Sequence, residues 1–388
     1  AKSGEWWKTA PHRAFANNSV AYVDGVPDTG AFLREWTALY ESKSGERGIF
    51  NRSSAQKQAA KYGRRDQNID YGTNPCSEII LRPKQFCNLS EVVVRATDTV
   101  TSLADKIEVA TIFGTIQACF TNFKGLSRQW KKNTEEERLL GVSLTGIMDN
   151  AMLANKTKHD LPHILSELRT LAVDTNIEWS EKFGIEPSAA ITCIKPSGTV
   201  SQLVNAASGI HPRHSRYYIR TIRADNKDPM TQFLIDSGVP HEPSEEKADS
   251  TSVFSFPIKA PEKAITRDEI SAVDHLKLWK IYAEHWCEHK PSITVSVREN
   301  EWIETGSFVY NNFDHMSGVS FLPMTEHTYR QAPYQDCSEE QYRVLSNAIG
   351  TVDWQKLQEY EHEDKTSGTQ EFACTANSCE VVDIKGES

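Results

Sequence analysis

Short apolar runs alternate along this chain with segments of helical spacing, and that alternation limits its fold more than any other feature. Residues 79–81 (IIL) and 92–94 (VVV) are too short for helices and flank a loop interrupted by Pro83, the pattern of buried strands around a turn. Residues 103–120 place Ile107, Ala110, Ile112 and Ile116 at helical spacing, and residues 29–40 do the same with Phe32, Leu33, Trp36 and Leu39. Residues 138–153 and 161–183 continue the helical character, with Gly184 suited to a C-terminal stop. Residues 189–194 (AAITCI) read as a buried strand running into Pro196-Ser197-Gly198-Thr199 and a helix through Ala207. Thr266-Arg267-Asp268-Glu269 has the form of a capping box opening a helix through Tyr282 that Lys290-Pro291 closes. Residues 292–297 alternate like a strand, and Ser338 caps a further helix. Strands alternating with helices predict an α/β architecture.

No apolar run approaches the ~20 residues that cross a bilayer. The opening AKSGEWW lacks the basic and apolar regions of a signal peptide, so a soluble cytoplasmic protein with no membrane partner is expected. Forty-three basic against fifty-three acidic residues give a net charge of −10, a poor basis for binding polymeric nucleic acid. A small phosphorylated ligand is not excluded, because a helix N-terminus can hold one phosphate locally. The eight cysteines are spread over a chain too long to be a disulfide scaffold. In a reducing compartment they should be buried thiols, or catalytic or metal-binding where they cluster. From Lys365 onward Gly, Ser, Thr and charged residues dominate, and this tail is expected to be mobile.

Four constellations carry chemistry. In Asn74-Pro75-Cys76-Ser77-Glu78 the proline favours an extended or turn conformation, so an amide, a thiol and a carboxylate can project to one side: a hydrogen-bond partner, a reactive sulfur and a general base. Cys87 follows eleven residues later, far enough for a hairpin to bring it back. Two buried structural cysteines beside a surface glutamate would give the same letters. Cys374 and Cys379 form a dithiol in the polar tail, able to exchange with a disulfide in a site and swing out to be re-reduced; two incidental exposed thiols are the alternative. Ser197-Gly198-Thr199-Val200-Ser201 is either a phosphate cradle or an ordinary helix cap, and it has no P-loop pattern. His285, Glu288 and His289 fit the H-x-x-E-H pattern of inverted zinc peptidases, but Lys290-Pro291 ends the helix at once and no third carboxylate ligand is apparent, so no metal is assigned.

Taken together, NPCSE, RLLGVSLTGIMDN, KPSGTVSQLVNAASGIHPRHSRYYIR, WCEHKPSITVSV, SFLPMTEHTYRQAPY and CTANSC resemble, in order and across nearly all of the chain, the catalytic subunit of adenosylcobalamin-dependent (class II) ribonucleoside-triphosphate reductase. The resemblance implies the C-terminal part of a ten-stranded α/β barrel through residue 364, with a central finger loop bearing Cys76, followed by a redox-active tail at 365–388. It implies that Cys76 becomes a thiyl radical, that Glu78 is the base on the 3′ hydroxyl and that Asn74 binds the ribose. Cys87 would be one of two reducing thiols, Cys374 and Cys379 would relay electrons from thioredoxin or a similar dithiol, and Ser197–Ser201 would hold the phosphates of a ribonucleoside triphosphate. Adenosylcobalamin would supply the radical. The family's partner for Cys87 lies on an earlier strand, whereas Cys76 is the first cysteine here. With Ala1 as its start, the chain is expected to need a complementary N-terminal half. A class I large subunit is the nearest rival, but its tyrosine pair close to the terminal cysteines is missing, the only Tyr-Tyr being Tyr217-Tyr218. A non-catalytic nucleotide-binding or assembly fragment is the other rival.

Overall fold

The structure, a computed structural model, describes residues 19–42, 48–245, 247–324, 330–350 and 352–361. Cys374, Cys379 and the tail expected to be mobile lie outside the described residues. The chain groups into two compact units, the first Ala1–Pro212 with Lys263–Met324, the second Arg213–Glu262 with Thr325–Ser388.

The first unit opens with β1 (Ser19–Tyr22), α1 (Thr29–Ser42), β2 (Gly48–Asn51) and α2 (Arg52–Ala60). A short hairpin of β3 (Gly72–Thr73) and β4 (Ile80–Leu81) leads to β5 (Asn88–Val93), α3 (Val100–Ala118), α4 (Arg128–Glu137) and β6 (Leu140–Thr145). Then come α5 (Leu161–Phe183), β7 (Thr192–Cys193) and α6 (Thr199–Leu203). The second unit contributes β8 (Tyr217–Asp225), α7 (Pro229–Asp236), β9 (His241–Pro243) and β10 (Thr251–Lys259). The chain re-enters the first unit with α8 (Ala272–His285), β11 (Ile293–Val297), α9 (Trp302–Asn311) and β12 (Ser317–Pro323), and returns to the second with β13 (Tyr334–Asp336) and α10 (Glu339–Ile349).

At the centre of the first unit β5, β6 and β7 form a parallel sheet in that order, with Glu91 level with Ser143 and Ser143 level with Cys193. Parallel strands joined by helices put apolar cover on the outer face. Accordingly α3 buries Leu103, Ile107 and Ala110, and α5 buries Leu161, Leu165 and Leu168, in one core with Leu140, Val142 and Leu144. Each such leucine, isoleucine or valine contributes about 1.5–3 kcal/mol when fully buried. Thr99 starts α3 with a capping box, Asp160 caps the start of α5, and a left-handed Gly184 ends α5 as the sequence predicts.

A second sheet runs β1-β2-β12-β11, with β1 parallel to β2, β12 antiparallel to β2 and β11 parallel to β12. A parallel bridge between Ile194 and Pro291 ties it to the first, with Ser292 N–H donating to the Ile194 carbonyl at 2.9 Å. The architecture is α/β. Among the described residues the strands form open sheets and do not close into a barrel. The second unit is an antiparallel sheet in the order β13-β8-β10-β9, backed by α10.

Three local expectations are corrected. Residues 138–153 are not one helix: Arg138, in a left-handed conformation (φ 41°), ends α4, 140–145 is a strand with all six residues buried, and only a single 3-10 turn follows at Ile147–Asp149. A strand covered on both faces loses its two-residue alternation, which is why its leucines and valine mimic helical spacing. The helix expected through Ala207 stops at Leu203, and a left-handed Asn205 follows. The capping box at Thr266 closes only the single turn Arg267–Glu269; Ser271 caps α8, which ends at His285 before Lys290-Pro291.

A buried ion-pair cluster locks the chain ahead of the hairpin to α4. The Arg65 guanidinium grips Glu137 with two bonds of 3.1 and 2.9 Å, and Arg82 and Gln85 bond the same carboxylate at 2.9 and 2.6 Å. Both Arg65 and Glu137 side chains are almost fully enclosed, so removing one leaves the other short of compensation. Arg65→Met should cost about 3 kcal/mol in urea unfolding; a loss below about 1 kcal/mol would show the cluster to be dispensable.

Candidate functional site

The hairpin loop of residues 74–79 joins the two strand ends of β3 and β4, where Thr73 pairs with Ile80. Asn74 closes it three ways. Its carbonyl accepts the Ser77 N–H at 2.9 Å, its own N–H donates to the Ile79 carbonyl at 3.3 Å, and its side-chain Oδ1 accepts the Ile79 N–H at 3.0 Å. Pro75 at the crest is exposed and Cys76 half-buried, whereas Glu78 has no exposed surface. Ser77 turns the chain with a left-handed backbone (φ 66°) that disfavours side chains, as sharp turns at sites often do.

Two glycines receive this loop. Gly318 sits in β12 at a break in its register with β2, at φ +72°, and a Cβ there would lie 3.0 Å from the Ser77 carbonyl oxygen and 3.2 Å from the Ser77 Cβ. Gly141 in β6 leaves the room that Leu89, Ile79 and Cys193 occupy; a Cβ would fall 2.4 Å from Leu89 Cδ2, 3.0 Å from Ile79 Cδ1 and 3.3 Å from Cys193 Sγ. Side chains of paired parallel residues share a face, so Leu89, Glu91, Gly141, Ser143 and Cys193 all belong to the sheet face that meets the loop.

Electrostatics centre on Glu78. Its Oε1 lies 3.2 Å from Lys195 Nζ, and its Oε2 has no hydrogen-bond partner among the described residues. Lys195 is placed by its own N–H, which donates to Ser143 Oγ at 2.8 Å. The Lys290 N–H donates to the Glu78 carbonyl at 3.0 Å. Burial, and after it the charge of Glu78, pushes the Cys87 thiol far up, with Arg65 and Lys195 pulling the other way. The same two causes, in the same order, hold Cys193 well above the ordinary thiol range, with Cys87 as a further neighbour. Both sulfurs are therefore protonated thiols at neutral pH. Burial also pushes the Glu91 carboxyl up, against hydrogen bonds toward Ser197 and Thr145.

Of the expected phosphate loop, Ser197 and Ser201 turn inward. Ser197 Oγ accepts the Ser201 N–H at 3.1 Å, and Ser201 Oγ donates to the Ser197 carbonyl. Thr199 and Val200 are exposed and Gly198 partly so. The structure thus brings Asn74, Cys76 and Glu78 into one loop and sets Glu78 beside Lys195 and near Cys87. Lys195, Glu91, Ser143 and Gly318 were not singled out from the sequence. A carboxylate directly before the apolar run of β5 and a lysine directly after a buried strand were the available signals; a glycine marking a bulge leaves none.

The zinc-peptidase pattern does not assemble. His285 closes α8 with Nδ1 3.2 Å from Ser166 Oγ, Glu288 pairs with Arg64 and accepts the Ile191 N–H at 2.9 Å, and His289 lies beyond the helix. Among the described residues no three His, Cys, Asp or Glu side chains gather around a common point. His289 instead accepts the Ile80 N–H on Nδ1 at 3.3 Å and donates from Nε2 to the Leu140 carbonyl at 2.9 Å, fastening the hairpin to β6.

Two predictions follow from these contacts. A methyl group at 318 meets backbone it cannot displace cheaply and adopts a left-handed conformation, so Gly318→Ala should cost about 2 kcal/mol in denaturant unfolding; a cost under about 0.5 kcal/mol would mean that the loop does not rest there. Burial, with help from neighbouring positive groups, holds His289 and His275 down at about 3. Unfolded, each ring takes up a proton below about 6.5, so stability falls as pH drops from about 6.5 toward 3, by up to about 1.4 kcal/mol per pH unit for each ring. His275→Gln and His289→Gln should each flatten that slope in urea titrations; slopes equal to the parent's would refute it.

No family model matches the chain. It is 26% identical over 345 residues to the adenosylcobalamin-dependent ribonucleoside-triphosphate reductase of Euglena gracilis, covering 87% of this chain and 46% of that protein. It is 27% identical over 325 residues to a probable enzyme of the same name from Dictyostelium discoideum, covering 82% and 41%, and 26% identical over 374 residues to that of Levilactobacillus brevis, covering 87% and 48%. Among solved structures, a B12-dependent (class II) ribonucleotide reductase superposes with a TM-score of 0.74 at 23% identity, over 93% of this chain and 53% of that one. The alpha subunit of the class Id enzyme of Actinobacillus ureae gives 0.51 at 14%, over 80% and 65%. No helix among the described residues is long and apolar enough to cross a membrane. In sequence the chain is similar to adenosylcobalamin-dependent ribonucleoside-triphosphate reductases and in fold to a class II ribonucleotide reductase, and it spans about half the length of the curated relatives it matches.

Proposed function

We propose that the chain carries the thiol and carboxylate half of a site that reduces ribonucleoside triphosphates to deoxyribonucleotides. The observation that carries this is the hairpin loop, which presents a reachable sulfur two residues from a fully enclosed carboxylate, above a sheet face preceded by a second thiol. In this assignment Cys76, as a sulfur radical, takes the 3′ hydrogen of the ribose. Glu78 accepts the proton of the 3′ hydroxyl. Asn74 bonds the sugar, Gly198, Thr199 and Val200 form the outward side of the Ser197–Ser201 turn that holds the phosphates, and Cys87 with a second thiol supplies two electrons and two protons as the 2′ hydroxyl leaves as water. Cys374 and Cys379 then reduce the resulting disulfide, drawing on thioredoxin or a similar dithiol in a reducing cytoplasm.

The relatives are named for adenosylcobalamin, which supplies a radical by homolysis of its cobalt–carbon bond. A sulfur that receives such a radical must be approachable, and Cys76 beside the exposed Pro75 meets that need, whereas Cys193 and Cys287 have no exposed surface. Cys76 and Pro75 are the residues that would face the cofactor. The open sheets are read as part of the ten-stranded barrel, completed by the complementary N-terminal half. Cobalamin-dependent formation of deoxynucleotide from a ribonucleoside triphosphate and a dithiol, with that half supplied, is the expected outcome, and Cys76→Ser should abolish it while leaving assembly intact. Product formation that survives Cys76→Ser would overturn the assignment.

A further inference from the structure

Lys195 is the one cation that reaches Glu78 directly, at 3.2 Å, among the described residues. It is not a surface lysine that happens to lie nearby. Its N–H is fixed by Ser143 Oγ in the middle of the parallel sheet, and its side chain is only one-third exposed. Its ammonium also acts on Glu91, Cys87 and Cys193, the acid and thiols gathered around it. The two oxygens of Glu78 are not equivalent. Oε1 is held by Lys195, and Oε2 is buried without a partner. A buried acceptor left unbonded costs free energy unless something arrives to bond it. The next residue of the chain after Lys195 opens the Pro196–Ser201 turn, so one short segment positions both the carboxylate and the expected phosphate contacts.

On the basis of the ribonucleotide-reducing function above, we propose that Lys195 is a positioning residue: by holding Oε1 of Glu78 it leaves Oε2 as the oxygen that meets the sugar hydroxyl. The hydroxyl proton passes to Oε2 and is returned as product forms, so the step needs no further oxidant or reductant. Lys195 stays an ammonium throughout and does not touch the reacting carbon. A residue that only bound phosphate would act on substrate affinity; one that aims the base acts on turnover.

The test uses the enzyme assembled with its complementary half, assayed with ribonucleoside triphosphate, adenosylcobalamin and a dithiol. Lys195→Met should lower kcat by roughly 30-fold or more while KM for the nucleotide stays within about 3-fold, and Lys195→Arg, which keeps the charge and the bond, should recover most of it. Lys195→Met strands the buried Glu78 charge and can unfold the loop, so the deciding comparison is Glu78→Gln against Glu78→Gln/Lys195→Met, in which no buried charge is stranded. Equal kcat in those two supports the assignment, because Lys195 then acts only through Glu78. A multiplied loss in the double variant, or a raised KM with kcat unchanged in Lys195→Met, overturns it and makes Lys195 a phosphate ligand. A parent with no activity in any assembly would defeat the function and this role together, whereas an active parent matched by Lys195→Met would defeat this role alone.

Discussion

A carboxylate with no exposed surface is the constraint that organises this site. Transferring such a group out of water costs several kcal/mol unless a cation and hydrogen bonds replace the lost solvent. Glu78 meets the requirement on one side only, through Lys195, and its other oxygen stays unbonded. Almost every nearby feature serves to keep that arrangement fixed. Ser143 anchors the Lys195 backbone, Lys290 holds the Glu78 carbonyl, and His289 bonds the strand that follows. The carboxylate is thus braced from β4, β6, β7 and the segment ahead of β11.

The loop that carries Cys76 is shaped by small residues as much as by polar ones. Ser77 and Gly318 are both left-handed and sit against each other; the conformation is unfavourable for Ser77, and Gly318 adopts it without that cost. Gly141 gives up its side chain so that Ile79, Leu89 and Cys193 can meet over β6. Packing of this density transmits a displacement instead of absorbing it. A shift in β12 or β6 therefore reaches the loop at Ser77 or Ile79, on either side of Glu78.

Much of this was legible in the sequence. The proline-bearing NPCSE segment reads as a turn presenting an amide, a thiol and a carboxylate, and it is the tip of a hairpin. The helices with one apolar face, α1, α3 and α5, begin and end close to where their spacing and caps put them. What failed did so for physical reasons. β6 is buried on both faces, so its pattern carries no strand period, and it was read as helix. The capping box at Thr266 is real but local, and a second cap five residues later does the work of starting α8. The Lys195–Glu78 pair spans 117 residues, and register across a parallel sheet cannot be read from one strand.

The way Asn74 is tied into its own turn has a chemical corollary. Because Oδ1 accepts the Ile79 N–H, the orientation of the amide is settled by the backbone, and the hydrogens it can offer a ligand are those on Nδ2. The loop therefore offers an incoming molecule amide hydrogens at position 74 and a bare acceptor at Glu78 Oε2. Exchanging the asparagine for its isosteric acid would keep the outline of the turn and reverse its polarity, leaving two lone-pair surfaces side by side and no donor between them.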